Sequence, residues 1–240
     1  MPASTRPPSL APPVRAVALG ALGVMAALVA TGCGGTTGQL SAVPAGSAST
    51  ASAVGQPGST AAARLSAEQL PNGVAEGWQP LSQPRVQAVT GDIQLNECAS
   101  VSGAATWWQQ GYVGVHRTPA EQDLFTFRDA AAAQAAYQGL LTQMDGCQNQ
   151  SRAVQAKALG LADAQVAKTA VTDRGTSWSR QWTGVEGLSA AGPQTDHLYA
   201  VLQGTRLAVV HYDEWAGTHA APYSTRSDGD LLTSVAQQLG

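Results

Sequence analysis

The sequence predicts an α+β domain in which a twisted antiparallel β-sheet packs against helices. Its clearest element is a β-hairpin, because the alternating runs HLYAVLQ (197–203) and RLAVVHY (206–212) flank Gly204-Thr205. Glycine at the first loop position favours a type II′ turn. Two stretches with helical periodicity, 129–144 and 228–239, supply the helices that cover such a sheet.

A short helical turn and three extended stretches precede the first of these helices. The turn is predicted at 66–70, where Pro71-Asn72-Gly73 stops it. The extended stretches are predicted at 86–93, 111–116 and 123–127, and the last of them (DLFTF) alternates as a strand does.

The first long helix is predicted to begin with Asp129 as its N-cap and to end at about Met144. Gly146 is expected to stop it, with Cys147 just beyond. The apolar residues that share one face are Ala133, Tyr137, Leu140, Leu141 and Met144. That face must pack on another element.

A strand and a helix are the remaining predicted elements. The segment 177–182 (SWSRQW) alternates, which indicates a strand. Its residues on one side are Trp178, Arg180 and Trp182. The final helix, 228–239, starts with a pair typical of a capping box, Ser227 and Asp230. Its apolar face consists of Leu231, Leu232, Val235 and Leu239.

Both faces of the hairpin are largely apolar. A two-residue loop pairs residues whose numbers sum to 409, so one face carries Leu198, Ala200, Leu202, Leu207, Val209 and His211. The other carries His197, Tyr199, Val201, Ala208, Val210 and Tyr212. Such a strand pair is usually covered on both sides. If helices cover one side alone, the second becomes the floor of a ligand groove. The candidate cleft residues are then Tyr199, Val201, Val210, Tyr212, Trp178 and Trp182.

The first 33 residues carry the parts of an export signal. Arg6 and Arg15 are their only charges, and an apolar run of 15 residues, 16–30, follows. The small residues Thr31-Gly32 before Cys33 resemble a bacterial lipobox, in which signal peptidase cuts ahead of a lipidated cysteine. A plain secretory signal or a short membrane anchor is the alternative, although a spanning helix needs about 20 apolar residues.

Three segments follow from this interpretation: a lipoprotein signal peptide at 1–32, a lipidated tether at 33–63 and a folded domain at 64–240. The tether has no charged residue and is dominated by Gly, Ser, Thr, Ala and Pro, so it cannot bury enough apolar surface to fold. The predicted location is the extracytoplasmic face of the cell membrane, where acyl chains hold the protein.

Charge narrows the class of partner. All 16 acidic residues but only 11 of the 13 basic ones follow Cys33, which gives that part of the chain a net charge near −5. This acidity disfavours nucleic acid and anionic lipid headgroups, because neither gains from counterion release. The partner classes that remain as predictions are a small-molecule or cell-envelope ligand and a membrane protein.

Two cysteines are left once Cys33 carries lipid. In an oxidising compartment, Cys98 and Cys147 most simply form one disulfide, and two free thiols or half a metal site are the alternatives. No CxxC or HxxxH spacing supports a metal site, and no cofactor is predicted.

Catalytic candidates are weak. His211 and Asp213 share a face of the hairpin, but a base and its orienting group need a nucleophile nearby. Ser177, in GTSWS, lacks the second glycine of the G-x-S-x-G elbow. The register places His197 and His211 on opposite faces, so they cannot bind one metal. Exposed polar residues on strands explain all four, and we expect a non-enzymatic protein.

Tryptophans and acidic residues offer two further candidates. The candidates for a sugar-stacking platform are Trp107, Trp108, Trp178, Trp182 and Trp215, although core positions are favoured in a domain with two phenylalanines. Adjacent residues on a strand point to opposite faces, which separates Trp107 from Trp108. Asp213 and Glu214 near Asp196 lack EF-hand spacing, so a solvated strand end is favoured over a cation site.

The order of these elements resembles the PknH-like extracellular sensor domain family. The resemblance covers roughly residues 66–240: Cys98, a strand to Phe127, an Ala-rich helix to Cys147, then DHLYAVLQGTRLAVVHYDEW and a Leu/Val helix. It implies an antiparallel sheet with helices bordering a ligand cleft, in proteins fused to membrane kinases or standing alone as lipoproteins. The kinase-attached sensor has two disulfides, whereas this domain has cysteines for one.

The leading hypothesis is therefore a lipid-anchored domain that binds a small or cell-envelope ligand without catalysis. A protein-interaction module at the cell envelope is the first alternative, and an envelope hydrolase that uses His211 with Asp213 is the second.

Overall fold

The middle of the fold is an antiparallel sheet, as the sequence predicts. The structure, a computed structural model, describes residues 64–217 and 222–240. In chain order its elements are a 3₁₀ turn Ala67–Gln69, α1 Gly73–Glu76, β1 Gln79–Pro80, β2 Arg85–Ala88, β3 Ile93–Gln94, β4 Ser100–Val101, β5 Thr106–Val113, β6 Pro119–Thr126, α2 Ala130–Leu159, β7 Gln165–Val171, β8 Gly175–Gly184, β9 Gly192–Gln203, β10 Arg206–Trp215, a 3₁₀ turn Thr225–Ser227 and α3 Asp228–Leu239. The predicted α+β class is confirmed.

Eight of these strands form one sheet, in the order β1-β5-β6-β10-β9-β8-β7, with β2 also pairing along β5. Every pairing in it is antiparallel. Strands β3 and β4 form a separate two-stranded sheet. The order places β9 and β10 between β6 and β8, so the predicted hairpin lies in the interior of the sheet.

The register of that hairpin agrees with the prediction. Leu202 lies opposite Leu207, and the pairing continues without a shift to Gln194 opposite Trp215. Gly204 has a φ of +58°, the positive value that the first loop position of a type II′ turn requires.

Helix α3 covers one face of the hairpin. Four of its apolar side chains, Leu231, Leu232, Val235 and Leu239, pack in one cluster with that face. The hairpin residues beneath it include Tyr199, Val201, Val210 and Tyr212, each at most 2% exposed. These four residues belong to the core. The prediction that they form the floor of an open groove is wrong, because α3 covers them.

Helix α2 covers the opposite face. Its buried residues Ala133, Tyr137, Leu140 and Met144 pack with Phe125, Leu198, Ala200, Leu207 and Val209. The hairpin therefore has helices on both sides, the arrangement that its two apolar faces predict.

Helix α2 begins as predicted and ends much later than predicted. Asp129 is the N-cap, and its carboxylate accepts the backbone N–H of Ala132 at 2.7 Å. The helix then passes through Gly146 and ends at Gly160, whose φ is +70°. A glycine inside a helix costs about 1 kcal/mol, which tertiary contacts readily offset. The residues of the extension that face inward are Cys147, Ser151 and Gln155.

Cys98 and Cys147 form the expected disulfide. Cys147 lies inside α2 rather than after it, and both cysteines are buried. The bond attaches the segment before β4 to the middle of a 30-residue helix. Ser151, one turn further on, has its hydroxyl 3.9 Å from the sulfur of Cys147.

Helix α3 starts at the predicted place by a different device. Ser227 is its N-cap but makes no side-chain capping bond, so the predicted capping box with Asp230 is wrong. The buried carboxylate of Asp228 instead accepts hydrogen bonds from the hydroxyls of Tyr199 at 3.1 Å and Tyr223 at 3.0 Å, and from Thr169. These bonds join the first turn of α3 to the sheet.

The extended stretches need several corrections. The run at 86–93 is interrupted between β2 and β3, and the run at 111–116 covers only the end of β5 before a turn. The stretches at 123–127 and 177–182 lie inside the longer strands β6 and β8. Strand β7 and helix α1 were not predicted. The helical turn at 66–70 is a 3₁₀ turn with Ser66 as N-cap.

The start of the described domain is joined to the middle of the sheet. The side chain of Gln122 on β6 accepts the backbone N–H of Leu65 and donates to its carbonyl oxygen, each at 3.0 Å. Leu65 itself is 4% exposed. The chain is therefore fixed to the central strands from this residue onward.

Cys33, the predicted signal peptide at 1–32 and the tether at 33–63 lie outside the described residues. Within the part of the chain that is described, no helix is both long and apolar enough to cross a membrane. The anchoring predictions therefore remain predictions.

The continuation of α2 through Gly146 can be tested with two alanine variants. An added Cβ at Gly146 meets open space, so Gly146→Ala should raise the free energy of unfolding by about 0.5–1 kcal/mol. Gly160→Ala is the matched control: its φ is positive, so the same change should lower that free energy by about 1 kcal/mol. Urea unfolding measures both. Destabilisation by Gly146→Ala equal to that of Gly160→Ala would place the helix end at Gly146.

Candidate functional site

A cavity of about 480 Å³ lies where β8 and β10 end and β9 begins. Its lining residues are Asp163, Gln165, Gln181, Trp182, Thr183, Pro193, Gln194, Thr195, Glu214, Trp215, Ala216, Gly217 and Pro222. In the register, Trp182 and Trp215 both lie opposite Gln194, on the two sides of β9. Side chains of register partners leave the same face of a sheet, so these three form one row. We call this space the Trp182 cavity.

Two buried polar atoms at this cavity lack a hydrogen-bond partner among the described residues. They are the indole nitrogen Nε1 of Trp182 and the amide oxygen Oε1 of Gln194. The other end of that amide donates to the hydroxyl of Ser189 at 2.8 Å, which fixes its orientation. Gly184 leaves room for the amide, since a Cβ there would lie 2.3 Å from Gln194 Nε2. One donor and one acceptor are therefore held in place beside the cavity.

The acidic side chains at the rim of the cavity form hydrogen bonds within the protein. Asp163 accepts the hydroxyl of Thr183 at 2.6 Å and its backbone N–H at 3.0 Å, and these bonds lower the pKa of its carboxyl group. Glu214 accepts the backbone N–H of Tyr223 at 2.8 Å and lies 3.0 Å from Nε2 of His197. The exposed polar wall is formed by amides, at Gln165 and Gln181.

Arg180 supports the cavity from inside the domain. Its guanidinium lies 3.9 Å from the ring centre of Trp182, in cation–π geometry. It pairs with Glu97 and Asp196, with Nε 2.9 Å from the Asp196 carboxylate, and it donates to Ser151 at 3.1 Å. Arg180 is 5% exposed, so its charge is buried and compensated. This network connects the wall of the cavity to the part of α2 that carries the disulfide.

The six predicted cleft residues separate into three groups. Tyr199, Val201, Val210 and Tyr212 are core, as described above, and burial raises the pKa of both tyrosines. Trp182 lines the Trp182 cavity. Trp178 borders a different depression on α2 and β7, and it is 2% exposed.

The other tryptophans also separate. Trp108 is buried in the core beneath the α3 side, whereas the indole nitrogen of its neighbour Trp107 donates to Asp123 at 2.7 Å. The two therefore point to opposite faces, as predicted. Trp215 was considered only as a member of a general platform, and the structure places it at the cavity with Trp182.

His211 and Asp213, the pair of the hydrolase alternative, share the α2 side of the sheet, but the candidate nucleophile Ser177 does not join them. Ser177 lies on the α3 side of the sheet, opposite Tyr199, and its hydroxyl is 2.8 Å from that of Thr169. His211 lies on the α2 side, where Nε2 is 3.4 Å from the Glu121 carboxylate. The sheet separates the two residues, so Ser177 cannot serve His211 as a nucleophile. His197 is on the α3 side, which agrees with the predicted separation of the histidines.

Ionisable groups around His211 perturb one another. Burial raises the pKa of Asp123 to about 8, and the negative charge of Glu121 adds to the rise. Burial opposes a charge on His211, but the Glu121 carboxylate 3.4 Å away and the other surrounding carboxylates raise its pKa to about 9. Burial and the charge of Asp196 raise the pKa of Asp213 to about 7. Glu214 is 7% exposed and Asp196 pairs with the buried Arg180, so the acidic group of Asp213, Glu214 and Asp196 is not simply a solvated strand end.

Comparison with solved structures gives a similarity to an extracellular domain. The crystal structure of the extracellular domain of PknH from Mycobacterium tuberculosis has 15% sequence identity to this chain and a TM-score of 0.44. The match covers 75% of this chain and 91% of that one. No protein-family model and no curated protein sequence matches the chain. A likeness at this identity and TM-score assigns neither a family nor a function.

The support that Arg180 gives to Trp182 can be tested by Arg180→Ala. The change leaves buried carboxylates without their cation, so it should lower the free energy of unfolding by about 3 kcal/mol. It should also expose Trp182 and shift the tryptophan emission to longer wavelength. Arg174→Ala, an exposed arginine just before β8, is the control and should change stability by less than about 0.5 kcal/mol. Equal effects of the two variants would refute the structural role of Arg180.

Proposed function

We propose that this protein is an extracytoplasmic, lipid-anchored ligand-binding protein and that its ligand occupies the Trp182 cavity. The observation that carries the proposal is a pair of buried polar atoms beside the cavity, Trp182 Nε1 and Gln194 Oε1, that have no hydrogen-bond partner among residues 64–217 and 222–240. Leaving such atoms unpaired costs about 1–3 kcal/mol each. A bound ligand that supplies one acceptor and one donor recovers that free energy.

The size and lining of the cavity favour a small neutral ligand. A volume of about 480 Å³ falls within the about 300–1,000 Å³ of small-molecule sites. The partly exposed Trp215 provides flat apolar surface, and the amides of Gln165 and Gln181 offer both donors and acceptors. The rim carboxylates Asp163 and Glu214 disfavour an anionic ligand. A sugar ring combines apolar faces with hydroxyl groups, so we propose a neutral cell-envelope saccharide.

The proposed role does not include catalysis. The Trp182 cavity presents stacking surface and hydrogen-bonding amides, and its two carboxylates are engaged by Thr183, Tyr223 and His197. Binding without turnover fits a sensor or a carrier. Anchoring through a lipidated Cys33 keeps the domain beside the envelope from which such saccharides come.

Saccharide binding can be tested by titrating the full chain, purified in detergent, with the trisaccharide of N-acetylglucosamine and following tryptophan fluorescence. We expect saturable binding that Trp215→Ala weakens about 10-fold, because a stacked ring is lost. Trp107→Phe is the matched control, since Trp107 lies away from the cavity, and it should bind normally. The interaction-module alternative would be favoured if no neutral envelope saccharide binds and a membrane protein co-purifies with the chain in stoichiometric amount.

Anchoring has its own test. Cys33→Ser removes the sulfur atom to which the proposed lipid is attached, so any Cys33→Ser protein whose signal has been cleaved should be found in the soluble extracytoplasmic fraction. Ser41→Ala, a change within the predicted tether, should leave the protein in the membrane. Retention of Cys33→Ser in the membrane after cleavage of the signal would contradict lipid anchoring.

A further inference from the structure

A histidine and two carboxylates meet on the α2 side of the sheet, away from the residues that line the Trp182 cavity. Glu121 on β6 is the register partner of His211 on β10, and Asp123 lies two residues further along β6. Residues two apart on a strand point to the same face, so the backbone pairing alone brings the three side chains together. We call them the His211 cluster.

The distances within the cluster suit metal ligands. One ligand atom from each of the three residues lies within 4.8 Å of the other two. Nε2 of His211 and Oε1 of Glu121 are 3.4 Å apart. Two ligands bound tetrahedrally to zinc at about 2.0–2.1 Å are separated by about 3.3 Å, close to that value.

Two buried atoms of the cluster have no hydrogen-bond partner among residues 64–217 and 222–240. They are Oδ2 of Asp123, a residue that is only 2% exposed, and Nε2 of His211. Both are atoms through which these side chains bind metals. A buried carboxylate oxygen and a buried imidazole nitrogen in the same cluster, neither with a hydrogen-bond partner in the described part of the chain, are suited to coordinate a cation.

The other oxygen of Asp123 is already held. The indole N–H of Trp107 donates to Oδ1 at 2.7 Å, which orients the carboxylate and leaves Oδ2 for another atom. Hydrogen bonds from outside the coordination sphere orient metal-binding carboxylates in the same way. Trp107 is thus a positioning residue of the cluster.

We propose that the His211 cluster binds one divalent transition-metal ion, with zinc as the best fit, through Glu121, Asp123 and His211. Imidazole with two carboxylates is a ligand set that zinc accepts, whereas calcium requires six or more oxygen ligands. Three protein ligands leave a fourth position for water or an external ligand. The side chains of Glu121 and His211 are each 29% exposed, so the ion can enter from solvent.

The test uses the full chain, purified in detergent without a polyhistidine tag and dialysed against a chelator. Zinc chloride is then added, and calorimetry with elemental analysis measures affinity and stoichiometry. We expect one ion per chain in the cluster. Asp123→Asn and His211→Ala should each weaken binding by about 100-fold, and Trp107→Phe by about 10-fold. His116→Ala, at the turn between β5 and β6, is the matched histidine control and should bind zinc normally.

A second measurement does not depend on a variant that folds. In the unaltered chain labelled with ¹⁵N-histidine, zinc should shift the imidazole nitrogens of His211 and leave those of His197 unchanged. Trp215→Ala, which alters the Trp182 cavity, should bind zinc as the unaltered chain does, so failure of saccharide binding leaves this proposal standing. The proposal is overturned if the unaltered chain binds no zinc or if the His211 signals do not respond.

Discussion

The structure depends on one constraint: the β9–β10 hairpin is apolar on both faces and must be covered twice. One face carries Tyr199 and Val201, the other Leu198 and Ala200, and all four are at most 5% exposed. Covering both faces requires two helices on opposite sides, which α2 and α3 provide. The hairpin therefore cannot be the floor of an open groove. Ligand sites are therefore expected where the sheet is not covered by helices.

Both proposed sites lie on strands of the central sheet, among polar residues that break its apolar pattern. The Trp182 cavity is at the ends of β8, β9 and β10, and the His211 cluster is on β6 and β10. Polar groups in such positions are partly shielded from water, so unpaired atoms are costly and fixed partners matter. Arg180 is an example, because its buried charge is compensated by ion pairs with Glu97 and Asp196.

Local patterns in the sequence predicted the hairpin, its register and the starts of both long helices. The end of α2 was not predictable, because its inward-facing continuation at Ser151 and Gln155 is polar and breaks the apolar periodicity. The position of Trp215 could have been predicted from the sequence, because the register rule that pairs Leu202 with Leu207 also places Trp215 opposite Gln194. The His211 cluster could not have been predicted, because no local pattern pairs β6 with a strand some 85 residues away.

The two hydrogen bonds between Leu65 and Gln122 have a mechanical consequence. Any pull along the preceding chain enters the fold at Leu65 and passes through the Gln122 side chain into β6. Strand β6 is hydrogen-bonded on both sides, to β5 and to β10, so the force is distributed over two neighbouring ladders. A domain held at an edge strand would be peeled open one hydrogen bond at a time. Here the two Gln122 hydrogen bonds must break before tension reaches β1, the edge strand that comes next along the chain, so they delay that peeling.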